Sequence, residues 1–263
     1  VLTFAFAEQA AGYDITGTTM IAEIHKGSYR LDGSKCFVLN ANDADHFIVL
    51  ARTSGVSGDN KGLSLFFVCP NTPGITICNY VTQDGNRVAN IVFDKVIIPK
   101  DQLIGEEGTA FDVVNRVLDE ASIAIVGEAV GIMWSIYHMT LSYMQTRTQF
   151  GLKIGSFQSL QHRMVDMYIM CEMAQSIAYD AAFACDYYLE QPILRQKSIS
   201  GAKSLVCRYA RKVGQEGIQL HGAIGVTMDF IIGHYFKRLC MIDVSFGNVD
   251  WHEARYMRLT RNT

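Results

Sequence analysis

PKDQLIGEEG, residues 99 to 108, is where the chain changes its period. Before it, short apolar runs alternate with turn chemistry. YRLDGSKCFVLN, HFIVLART, GLSLFFVCP, GITICNYV and VANIVFDKVIIP read as strands, and LDGSK, GVSGDNKG and NTPG as the turns between them. After it, apolar residues recur at i, i+3 and i+4 through roughly 109–147, 157–189 and 193–221, with breaks at FGLKIG and EQP. Helices of that length with short connections imply an antiparallel bundle. The expected fold is α+β: a small β-sandwich or barrel over 1–105, then a helical bundle over 106–263.

Composition narrows the function classes. Apolar residues make up 49% and charged residues 19% of the 263-residue chain, the balance of a globular protein with a sizeable core. A net charge of −3 gives no electrostatic reason for a nucleic-acid or anionic-membrane partner. The apolar run from Ala121 to Leu141 is interrupted by Glu128, Ser135 and His138, so it reads as a buried bundle helix, not a membrane span. Seven scattered Cys without a C-x-x-C pair suggest reduced, mostly buried thiols and a cytoplasmic or matrix-like setting. The chain opens on VLTFAFAEQ, with neither an initiator Met nor an export signal, and reads as a fragment.

Few residues advertise chemistry singly. No G-x-S-x-G occurs, and no Cys lies in a catalytic context. EEGTAF reads as a helix start with acids near the positive end of the dipole. His162 and His221 lack further metal ligands at usable spacing and read as hydrogen-bonding histidines. RTQFG, Arg147 to Gly151, combines a guanidinium fork with an aromatic ring and could grip a phosphate and stack a flat ring. It would equally suit a helix carboxyl end with Gly151 as the C′ residue. QLHGAIG, residues 219 to 225, has the same two readings, because glycines admit a ligand to the backbone and also end helices.

In order along the chain, these pieces resemble the acyl-CoA dehydrogenase family. FAEQAAGYD is similar to its T-E-P-x-x-G-S-D loop, YRLDGSKCFVLNANDADHFIVLART to its L-N-G-x-K-x-W-I-T-N hairpin, and VIIPKDQLIGEEGTAF to the exit from its middle β domain. RTQFGLKIGSFQSLQHRMVDM and QLHGAIGVTMDF are similar to its two C-terminal signatures. The resemblance implies an FAD-dependent enzyme that dehydrogenates an acyl-CoA between Cα and Cβ, and a family N-terminal helical domain that this sequence lacks. It also implies that Arg147, Gln149, Phe150, Gln219, Gly222 and Ala223 hold the ADP half of a neighbouring subunit's FAD, with the glycine turn presenting backbone donors.

The flavin and catalytic positions depart from that pattern. The family's flavin-bonding Thr is matched by Ala7, its Ser by Tyr13, and W-I-T by Phe37, Val38 and Leu39. The base of Y-E-G-T is matched by Phe246, within Ser245, Phe246, Gly247 and Asn248, and a phenylalanine takes no proton. The alternative base position, before an Arg on another helix, matches Ala121 and Ser122. Glu120 lies one residue off, about 100° around a helix, and Asp250 lies four residues beyond Phe246; both are weak candidates. The expected role is therefore the non-catalytic subunit that completes a partner's FAD site, in a heterotetramer with a second acyl-CoA dehydrogenase-like subunit or in a homo-oligomer. The ending FGNVDWHEARY is similar to the base-less subunit of heteromeric bacterial steroid and cholesterol side-chain dehydrogenases. A self-sufficient flavoenzyme with a relocated base and a cofactor-free scaffold subunit are the alternatives.

Overall fold

The computed structural model describes residues 1–261. These form two compact units, Val1–Val117 and Leu118 onward. The division falls inside a helix, beyond the expected 105/106 boundary. Local bonding ties the segment before the helix to the sheet: Gly62 N–H donates to Gly108 O (2.9 Å), Gly108 N–H donates to Ser64 Oγ (2.7 Å), and Leu63 bridges to Thr109.

The first unit is one eight-stranded, mainly antiparallel sheet. Its strands are β1 (Leu2–Ala5), β2 (Ile21–His25), β3 (Ser28–Leu39), β4 (His46–Arg52), β5 (Leu63–Val68), β6 (Ile75–Val81), β7 (Arg87–Ile98) and β8 (Leu103–Ile104). They run in the order β6-β7-β3-β2-β4-β5-β8, with β1 parallel to β4. The period-2 pattern sends Tyr29 and Leu31 of β3, Phe47, Val49 and Ala51 of β4, and Phe66 and Val68 of β5 into one core. Register shifts at Leu31/Gly33 and Lys35/Val38 bend β3 against β7. Gly33 sits at φ +143°, and a Cβ there would stand 2.9 Å from Met20 Cα, so no other residue fits.

Lys35 is wholly buried on β3. Its Nζ donates to Glu8 Oε1 (2.7 Å) and Phe6 O (3.1 Å), while Glu8 also accepts from Thr19 N (2.8 Å), Thr19 Oγ1 (2.6 Å) and Met20 N (3.1 Å). The pair ties the loop after β1 to the sheet.

The second unit continues helix α1 (Ala110–Thr146) and adds α2 (Gln158–Tyr187), α3 (Pro192–His221), α4 (Ile231–Val244) and α5 (Val249–Arg261). A two-stranded hairpin, β9 (Thr148–Gln149) and β10 (Leu152–Lys153), joins α1 to α2. The core takes Val126, Ala129, Met133 and Ile136 from α1, Met164, Met167, Cys171 and Ala174 from α2, and Val206, Ala210, Val213 and Leu220 from α3. These are the i+3 and i+4 steps of helices buried along one stripe. Pro192 occupies the first turn of α3, where a missing N–H costs nothing. No described helix is long and apolar enough to cross a membrane. The seven cysteines are unpaired, but only Cys171 and Cys207 are buried, while Cys69 and Cys78 are exposed; the expectation of mostly buried thiols is corrected.

Burial pushes the Glu8 carboxyl up, yet Lys35 and the Thr19 hydrogen bonds outweigh it and hold the group below the ordinary range. Lys35→Met strands that carboxylate, with a cost of about 3 kcal/mol in urea unfolding at pH 7. In the variant the folded Glu8 pKa lies above its unfolded value, so its penalty is absent below the unfolded pKa and grows as pH rises. The deficit against wild type is therefore smaller at pH 4 than at pH 7; equal deficits would contradict the assignment.

Candidate functional site

Arg147 follows the last residue of α1, and its N–H still donates to Tyr143 O (2.8 Å). The chain then reverses in a tight hairpin, closed by Ile154 N–H to Arg147 O (2.9 Å), with Leu152 opposite Gln149 and Lys153 opposite Thr148. The tip residues Phe150 and Gly151 have φ of +53° and +77°, the signature of a type I′ turn. The reading of Gly151 as a helix C′ residue is thus corrected: it is the second tip residue of a β-hairpin. Phe150, by contrast, pays a left-handed backbone penalty and leaves its ring 91% exposed, edge-on to Phe157 at 6.3 Å. Arg147 and Gln149 are exposed as well, and among the described residues the Arg147 guanidinium meets no protein partner.

The second motif closes α3. Gly222 turns the chain at φ +68°, ψ −143°, and its N–H donates to Ile218 O and Gln219 O. Of the backbone donors expected on this turn, the Gly222 amide is therefore already engaged in capping the helix. What Gly222 offers is clearance, since nothing lies within 4 Å of the position a Cβ would take. A 3₁₀ turn follows over Gly222–Val226, and Gly225 fits only because a Cβ there would stand 2.7 Å from Ile218 O. Gln219 and Ala223 are exposed.

An aromatic stack brings the two motifs together. The His221 ring lies against Tyr143 (4.4 Å, 26°) and Phe230 (5.0 Å, 46°), and Tyr143 is one helical turn before Arg147. His221 Nδ1 is 2.8 Å from Gly217 O. A carbonyl only accepts, so Nδ1 carries the proton. Nε2 is buried with no partner among the described residues, a loss of about 1–3 kcal/mol, and burial lowers the pKa of the ring. An unengaged guanidinium, an exposed ring and an open backbone at one end of the bundle suit a ligand with a phosphate and a flat ring, so the ADP half of FAD fits these residues. Among the described residues no three His, Cys, Asp or Glu gather as a metal site.

The turn expected to carry a base is built differently. Phe246 and Gly247, at φ +56° and +112°, link α4 to α5. The buried Lys203 ammonium donates to Ile242 O (2.9 Å), Asp243 O (3.0 Å) and Gly247 O (2.9 Å). His252 Nε2–H donates to Phe246 O (3.1 Å), and Nδ1 accepts from Ser200 Oγ (3.3 Å). Burial first, then the charges of Lys203 and Arg255, push the His252 pKa down to about 3, so the ring is neutral. Asp119 is held between Arg255 (2.8 Å) and Arg195 (3.4 Å), and Asp243 between Arg211 and the Val249 amide (3.2 Å). Glu120 and Asp250 are exposed, and Asp250 lies in the first turn of α5, where a carboxylate suits the helix dipole. Sequence reading missed Asp119, Lys203 and His252. Their only signal is a charged or polar residue at an inward position of an apolar stripe.

In the first unit, the positions expected to face a flavin carry no aliphatic hydroxyl. Ala7 O accepts from Cys36 N (2.9 Å), Phe37 adopts φ +53° at the bulge, and Val38 is buried. Tyr13 is half-buried, and Leu39 is partly exposed.

Phe150→Asn supplies a residue that tolerates the left-handed region. It should raise the unfolding free energy by about 0.5–1 kcal/mol in urea titration; a fall would show that the Phe150 ring packs more than its exposure implies.

Known proteins place this architecture. The model of the acyl-CoA dehydrogenase C-terminal domain matches residues 108–254, and that of the middle domain matches residues 3–96. The short-chain specific acyl-CoA dehydrogenase of Megasphaera elsdenii is 30% identical over 238 residues, 89% of this chain and 61% of the relative. Its counterpart from Clostridium acetobutylicum is 31% identical over 248 residues, 93% and 64% respectively. The structure of butyryl-CoA dehydrogenase from Megasphaera elsdenii aligns with a TM-score of 0.89 at 27% identity, over 99% of this chain and 68% of that one. The FAD complex of PigA aligns at 0.91 with 27% identity, again over 99% and 68%. The chain spans about three fifths of the length of these curated relatives. With both domain models matched in order, the chain belongs to the acyl-CoA dehydrogenase family.

Proposed function

We propose that this chain is the non-catalytic subunit of an FAD-dependent acyl-CoA dehydrogenase, holding the ADP half of a partner's cofactor while lacking a base of its own. The observation that carries the reading is the Phe246 turn. No carboxylate side chain stands on it, and the buried Asp119 and Asp243 are committed to arginines. When bound, FAD supplies the hydride acceptor for α,β-dehydrogenation of the thioester. Removal of the α-proton needs a carboxylate, which falls to the partner.

This chain's own residues then have simple tasks. The Arg147 fork meets the pyrophosphate, the exposed Phe150 ring offers a face to the adenine, and Gln149 and Gln219 offer amides beside them. Exposed apolar residues on α2 support a partner. Val165, Ile169 and Met173 repeat at i+4, as do Tyr179, Phe183 and Tyr187, and such stripes are interaction surfaces. A second acyl-CoA dehydrogenase-like subunit in a heterotetramer is the proposed occupant. The likeness of the ending FGNVDWHEARY to the base-less subunit of steroid and cholesterol side-chain dehydrogenases supports acyl-CoA thioesters of that class as the proposed substrate.

The test is turnover with acyl-CoA and an artificial electron acceptor. The chain alone should be inactive, and the complex active. Arg147→Ala should weaken FAD binding to the complex by roughly tenfold to a hundredfold, the weight of one charge-assisted contact. Glu120→Gln and Asp250→Asn should leave the complex unchanged. Turnover by the chain alone that either amide abolishes would replace this reading with a relocated base.

A further inference from the structure

We infer that His221 is a specificity-determining residue of this nucleotide site, whose Nε2 accepts a hydrogen bond from a sugar hydroxyl or an adenine amino group of the bound ligand. The inference rests on the ADP reading above and goes beyond it by assigning a task to a residue outside the expected contact set.

Three observations carry it. The tautomer is fixed by chemistry, because Nδ1 faces Gly217 O at 2.8 Å and must be the donor, which leaves Nε2 with a lone pair. The ring is packed, stacked on Tyr143 at 4.4 Å and tilted against Phe230 at 5.0 Å. Nε2 is buried without a partner among the described residues, although a phenylalanine would fill an aromatic slot with no orphaned atom. The residue adjoins Gly222, where the backbone is open, and lies two positions after Gln219.

The chemistry then discriminates between ligands. Burial lowers the His221 pKa and favours the uncharged ring. An uncharged acceptor attracts O–H and N–H groups and repels phosphate oxygens, which are acceptors themselves. Arg147 would grip the diphosphate of any ligand, whereas His221 would favour one that carries a nucleoside. Because Nε2 is sealed from solvent, the donor meets it only as a flanking ring turns aside.

The experiment is calorimetric titration of the full chain, in its purified assembly, with ADP and with inorganic pyrophosphate, which lacks the sugar hydroxyls and the amine. His221→Phe keeps an aromatic ring in the stack and removes the acceptor; His221→Gln restores an acceptor oxygen. The expected result for His221→Phe is an ADP affinity lower by about tenfold, with pyrophosphate changed by less than about twofold. The Gln variant should recover most of the loss. Titration in two buffers of different ionisation enthalpy should show no proton uptake by wild type on binding ADP. Equal losses for ADP and pyrophosphate, an unchanged ADP affinity, or proton uptake that disappears in His221→Phe would each overturn the inference. Failure of the cofactor reading looks different: neither ligand binds wild type, or Arg147→Ala leaves both affinities unchanged, and the role of His221 falls with it.

Discussion

The close approach of α1 and α3 sets the rest of the helical unit. Gly217 has no side chain because a Cβ there would stand 2.4 Å from Ile136 Cγ2. With the helices that near, the next turn of α3 carries His221 onto Tyr143, two turns beyond Ile136 on α1. Both contacts advance in the same chain direction, so the two helices run parallel and end on the same side. That is why the helix ends that lead into RTQFG and QLHGAIG, distant in sequence, lie on the same side of the unit. A larger residue at 217 would part the helices at this contact.

The Phe246 turn depends on a different constraint. Three carbonyls around Lys203 solvate a buried ammonium, and the neutral His252 fixes a fourth carbonyl. Arg255 extends this network through Ser200 to Asp119, near the start of the unit. The two segments that carry a base in the family's two patterns, the 246 turn and the α1 region near 121, are thus joined here by buried polar contacts. Burial makes this region costly to rebuild, because removing one partner leaves another charge unpaired.

Much of this was legible in the sequence, and the limits have physical causes. The helices expected at 109–147, 157–189 and 193–221 lie at Ala110–Thr146, Gln158–Tyr187 and Pro192–His221, because apolar periodicity and the Pro192 start are local signals. The Phe150 tip was not legible. A type I′ turn normally advertises itself by Asn-Gly, and a phenylalanine in that place is tolerated only because the flanking strands impose it. The Lys203 network was hidden for another reason: its partners lie about forty residues away, and those of Asp119 more than seventy, and no window of sequence reports such pairings. The glycines of QLHGAIG admit two readings in the sequence, and the structure shows the helix-ending one at Gly222. The expected amide of Gly222 caps α3, and the residue between Leu220 and Gly222, first read only as a hydrogen-bonding histidine, holds the motifs together.

Polarity at the site follows from the same geometry. A helix N-terminus attracts anions through its free amides, but α1 and α3 both present C-termini here, whose dipoles oppose a phosphate. The Gly222 amide is spent on α3, and His221 contributes no charge when neutral. Among the named contact residues, Arg147 alone brings a positive charge against those two helix ends. One guanidinium in an exposed position, partly offset by unfavourable dipoles, makes a weak clasp for a doubly charged diphosphate. On the proposed reading such a site is half of a binding surface, and high affinity would draw on donors from a second polypeptide. Under the proposed function, a chain that contributes one cation, one exposed ring and no base would depend on another for both the cofactor and the proton transfer.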